Sequence, residues 1–125
     1  MAENKINMLD STTVSDKTIE AFHTMWDSFP HGVLLLKSNR DIVAANKMST
    51  ELGAIEGRKC FQLGGLSDIH KGCLGNCAIE EGTSQRKTYQ DKTIGKIVDA
   101  YWLPVPTDEN LMLHFAIYLD PPTDD

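Results

Sequence analysis

Four residues of this 125-residue chain have the types and spacing to do chemistry together: Cys60, His70, Cys73 and Cys77, in the pattern C-x9-H-x2-C-x3-C. Thiolates and an imidazole are the donors that tetrahedral zinc or an iron-sulfur cluster takes, and four is the required count. On one helix Cys73 and Cys77 stand at i and i+4, with Cβ atoms about 5–6 Å apart. An unstrained disulfide wants about 3.5–4.5 Å, so the pair can converge on a metal more readily than bridge. The bland reading of the same residues is three small buried hydrophobes and a surface histidine, because free cysteine is among the most buried residue types. Reversible thiol oxidation is a third reading. Three is an odd cysteine count, unlike a disulfide framework, and fits reduced thiols in a cytoplasmic protein.

Catalysis finds little support in the residues. There is no Gly-x-Ser-x-Gly phrase and no phosphate-cradling glycine loop followed by lysine. Glu80 and Glu81 are adjacent, so on a helix they point in different directions and read as a solvated face. His23, His31 and His114 read as structural. An enzyme is therefore not expected.

Twelve Lys and Arg against 18 Asp and Glu give a net charge of -6, which makes nucleic acid and anionic membranes poor partners and leaves proteins or small molecules. The longest apolar run, Phe115 to Leu119, is far short of the roughly 20 residues that cross a bilayer. Met1 to Asp10 carries no secretory signal pattern. With 41% hydrophobic and 24% charged residues the composition is that of one globular domain.

The elements that must position these residues follow from periodicity. Ile19, Phe22, Met25, Trp26 and Phe29 recur at helical spacing after Ser15 or Asp16 as N-cap, until Pro30. Gly32 to Lys37 and Ile42 to Ala45, around the turn cluster Ser38 to Asp41, predict a hairpin. Three short helices follow, over 47–52, 57–63 and 73–81, each ended by glycine. The period then changes to two, predicting strands over 86–90, 96–105 and 111–119. Both faces of the last strand are largely apolar, so both must be covered, one by the short helices and one by the aromatic leading helix. Residues 1–14 read as a flexible leader, 15–120 as the domain, and 121–125 as a linker or tail.

Three phrases then carry a resemblance. Phe29-Pro30-His31-Gly32 leads into Val33 to Leu36, Asp41-Ile42-Val43-Ala44-Ala45-Asn46 ends a strand in Asn, and Gly57-Arg58-Lys59-Cys60-Phe61 follows. In this order the chain resembles the PAS domain, or sensory box, family. The resemblance implies an α+β fold: a five-stranded antiparallel sheet, short helices on one face and an N-terminal amphipathic helix. It also implies a sensory input module that signals to an effector such as a diguanylate cyclase, histidine kinase or regulator, often as a homodimer through the leading helix. The alternative is a ligand-free dimerisation or adaptor module. The Cys60 phrase is similar to that of the flavin photosensors, but Lys59 stands where they carry Asn, and the last two strands hold no Asn or Gln to bind a flavin ring. His70 is the nearest candidate haem ligand, placed before the helix rather than within it. A ligand pocket is expected between the sheet and the short helices, enclosed by Leu35, Ile42, Ala44, Phe61, Tyr101, Leu103, Leu113 and Phe115. The sequence leaves the cofactor or ligand unknown.

Overall fold

The computed structural model describes residues 14–54, 56–64, 68–69, 72–106 and 110–122. Helix α1 spans Asp16–Trp26. The Ser15 hydroxyl accepts from the Thr18 amide at 3.2 Å, and Asp16 sits in the first turn, where the helix dipole favours an acid. The apolar period runs on to Phe29, but the helix closes at Asp27, whose amide donates to the His23 carbonyl. Phe29 then turns edge-on to Trp26, with ring centroids 5.4 Å apart, so the stripe continues without the helix.

Strands β1 (Val33–Lys37) and β2 (Ile42–Ala45) form the antiparallel hairpin, and α2 (Lys47–Glu51) follows directly. Where an α-helix over 57–63 was expected, the chain makes a 3-10 turn at Cys60–Gly64. Helix α3 (Gly75–Glu81) begins two residues later than the apolar pattern and ends at Gly82, which takes the left-handed conformation at φ 66°. Strands β3 (Gln85–Asp91), β4 (Lys96–Pro104) and β5 (Leu111–Leu119) complete a single sheet in the order β2-β1-β5-β4-β3, antiparallel throughout. This is the α+β architecture that the resemblance implied.

One buried side chain ties three elements together. Asn46 accepts from the Val33 amide at 2.9 Å and the Ser49 amide at 3.1 Å, and donates to the carbonyls of Trp26 and His31, both at 2.9 Å. The end of α1, the start of β1 and the first turn of α2 are thereby held to one amide. Fully buried, it would be costly unpaired, and here every lone pair and proton is used.

The sheet has a core on each face. On the α1 side, Phe22 of the helix packs with Val33, Leu35, Ala44 and Leu111 of the sheet, and Trp26, Phe29, Leu113 and Phe115 pack around them. On the side of the short helices, Ala78 of α3 packs with Leu34, Leu36, Ile42, Ala54, Val98, Ala100, Trp102 and Met112. Among the described residues no helix is long and apolar enough to cross a membrane.

Candidate ligand-binding site

Strand register decides where space is left. β4 and β5 place Ala100 opposite Ala116 and Trp102 opposite His114, all on the face toward the short helices. Two alanines side by side cannot fill the gap between sheet and helices, and two cavities result. One of about 390 Å³ is bounded by Leu34, Ser49, Ala54, Cys60, Phe61 and Leu63 on the β1 side. The other, of about 440 Å³, is bounded by Gly72, Lys87, Tyr89, Val98, Ala100 and Trp102 on the β3 side. They share a wall of β5, namely His114, Ala116 and Tyr118, so together they form a trough across the sheet.

The wall is fixed in orientation. The His114 ring stacks on Trp102 with centroids 4.8 Å apart and planes 12° from parallel, and Nδ1 lies 2.9 Å from the Tyr101 carbonyl. A carbonyl only accepts, so Nδ1 carries the proton of this contact. Burial pushes the Tyr118 phenol above its ordinary range, and the nearby Tyr89 and Asp91 add to the shift, so it enters the trough as a neutral hydroxyl.

Of the eight residues expected to enclose the pocket, Phe61 lines the first cavity and Ile42 sits in the core beneath the short helices. Leu35, Ala44, Leu113 and Phe115 pack instead with α1 on the opposite face. Phe115 borders the first cavity, but its ring stands among Trp26, Phe29 and Tyr101, stacking on Tyr101 at 5.0 Å. Leu103 is paired with Leu113 in the register and, two residues from Tyr101, shares its parity. On β1, β4 and β5 the correction is one of parity, since successive side chains in a strand point to opposite faces, whereas on β2 the register irregularity opposite Leu35 and Leu36 sends Ile42 and Ala44, two residues apart, to opposite faces. Ala100, Trp102, His114, Ala116 and Tyr118 were missed. The available signal was the small residues of β4 and β5, which mark where a face is left unfilled.

The cysteines divide. Cys60 and Cys73 pack against the helical-side core, and both meet Arg40. The Cys60 amide donates to the Arg40 carbonyl at 2.9 Å, and Arg40 Nη2 lies 3.5 Å from Cys73 Sγ and 3.1 Å from Asn76 Oδ1. Burial, reinforced by Cys73 and opposed by Arg40, pushes the Cys60 thiol up to about 11, so it is protonated at neutral pH. Cys77 is half-buried on α3, and His70 lies outside the described residues. Among the described residues no three His, Cys, Asp or Glu side chains converge as a metal would need. Arg40 itself is buried at φ 77°, with Nε unbonded. It clips the β1–β2 turn to the start of α3.

A sheet of this order, with a trough between it and a run of short helices, defines the PAS fold. Solved structures agree. A sensory box sensor histidine kinase from Vibrio cholerae aligns with a TM-score of 0.59 at 11% identity, over 82% of this chain and 90% of the other. A domain of an HTR-like protein from Haloarcula marismortui aligns with a TM-score of 0.52 at 20% identity, over 71% of this chain and 97% of the other. The sequence matches no protein-family model and no curated protein. The fold is that of a PAS domain.

Proposed function

We propose that the chain is a sensory input module without catalytic activity of its own, which binds a small molecule in the trough and passes the change to an effector domain or signalling partner. The trough carries this reading. It lies between sheet and short helices, its two cavities are each within the usual range for ligand sites, and its walls combine apolar surface with a few oriented polar groups, Ser49, His114 and Tyr118. In the same proposal the module works in the cytoplasm and self-associates through α1. That helix buries Phe22 against its own sheet and leaves Met25 69% exposed. Native mass spectrometry and an absorption spectrum of freshly purified protein test the reading. A small molecule retained by the wild type and absent from Ala116→Phe, with circular dichroism unchanged, supports it. Bare polypeptide with no ligand from a metabolite screen would favour the ligand-free adaptor.

A further inference from the structure

Resting on the reading of the trough as a ligand site, we infer that it selects a flat, apolar molecule carrying one anionic group, with the anion at Lys87. Among the described residues that line the two cavities there is no carboxylate, although the chain has 18 Asp and Glu, and Lys87 is the one Lys or Arg. Three other cations beside the sheet are matched: Lys59 with Asp41, Arg86 with Asp99, Lys96 with Asp120. Lys87 has no such carboxylate among the described residues. Its ammonium leans over Gly72, so close that a Cβ there would collide with it, and lies 5.8 Å from the centre of the Tyr89 ring. The cation thus stands over the loop side of the second cavity, with aromatic surface beside it.

The rest of the trough is suited to a flat body. Phe61 and Tyr118 line the first cavity, and Tyr89, Trp102 and His114 line the second, with Ala100 and Ala116 as the low floor between strands. Aromatic walls of this kind take an aromatic ligand by edge and face contacts. The net charge of -6 repels anions at long range, but charges beyond about 8 Å are largely screened at physiological salt, so the local cation decides selection.

The test uses a matched pair of dyes, 1-anilinonaphthalene-8-sulfonate and its uncharged parent N-phenyl-1-naphthylamine, titrated by fluorescence into wild type, Lys87→Gln and Ala116→Phe. The inference expects the sulfonate to bind about three- to fivefold tighter than the parent, as one partly exposed ion pair allows. Lys87→Gln should erase that difference and leave the neutral dye unchanged, and added salt should shrink it in the wild type. Equal binding of the two dyes to wild type, or a difference that survives Lys87→Gln, overturns the inference while the trough remains a ligand site. If neither dye binds, or both bind Ala116→Phe as well as wild type, the reading of the trough falls and the inference with it.

Discussion

On the face under α1, β4 and β5 present Tyr101, Leu103, Leu113 and Phe115; on the reverse, the same strands present Ala100, Trp102, His114 and Ala116. Within the first set Phe115 meets both Trp26 and Phe29 ring against ring at 5.7 Å and stacks on Tyr101 at 5.0 Å, so aromatic packing fills this face. The second set alternates small with large and leaves cavities of about 390 and 440 Å³. One face is built for stability and the other holds room, which is the division of labour expected when binding is placed on a scaffold that must stay folded while its site is empty. The joint between them is Asn46, buried at the point where α1, β1 and α2 meet.

Breaking that joint has the largest expected effect. Asn46→Ala strands the amides of Val33 and Ser49 and the carbonyls of Trp26 and His31, and should cost about 4 kcal/mol in urea unfolding, since each buried polar group left unpaired costs about 1–3 kcal/mol before relaxation. A loss below about 1 kcal/mol would show that the clamp is incidental. The faces themselves separate next. Phe115→Ala removes the centre of the aromatic cluster and should cost about 3 kcal/mol, whereas Ala116→Leu, one residue on, grows into empty space and should change stability by less than about 1 kcal/mol. Equal losses at the two positions would mean that the trough is not empty in solution.

The smallest effect sharpens the filled face through pH. Asp99 accepts from Arg86 Nε at 2.7 Å and Nη2 at 3.1 Å, from Thr88 Oγ1 at 3.0 Å and from the Tyr101 hydroxyl at 2.8 Å. The Arg86 bonds foremost, with those of Tyr101 and Thr88, outweigh the opposing effect of burial and hold the carboxyl below its usual range. A group depressed in the folded state stabilises above its unfolded pKa and loses that contribution as pH falls through the folded one. Thermal unfolding should therefore show wild type losing stability below about pH 4, while Asp99→Asn is less stable at neutral pH and falls less steeply in acid. Parallel acid limbs would remove Asp99 from the account.

Element type was largely legible because periodicity is local. The shift from a helical period to a period of two after Gly82 marks the sheet, and 111–119 matches β5 residue for residue. Which face of a strand looks where was not legible. β5 is apolar on both sides, so alternation gives two sets without saying which one α1 covers; that depends on contacts between residues far apart in sequence, such as Phe115 with Trp26. Without those contacts, alternation alone sets Leu35, Ala44, Tyr101, Leu103, Leu113 and Phe115 toward the short helices. The clamp was hidden likewise, because Asn46 reaches Val33 and Trp26 across 13 and 20 residues, and the sequence marks it only as the end of a strand.

The chain has two tryptophans, and the fold sets one on each face: Trp26 in the α1 cluster and Trp102 in the wall of the second cavity. Their indole N–H signals in a 15N–1H NMR titration with 1-anilinonaphthalene-8-sulfonate report directly on which face takes a ligand. The account predicts that the Trp102 indole and the His114 and Ala116 amides move together and saturate, while the Trp26 indole stays in place. Movement of Trp26 with Trp102 unchanged would put the binding site on the other side of the sheet and contradict the account.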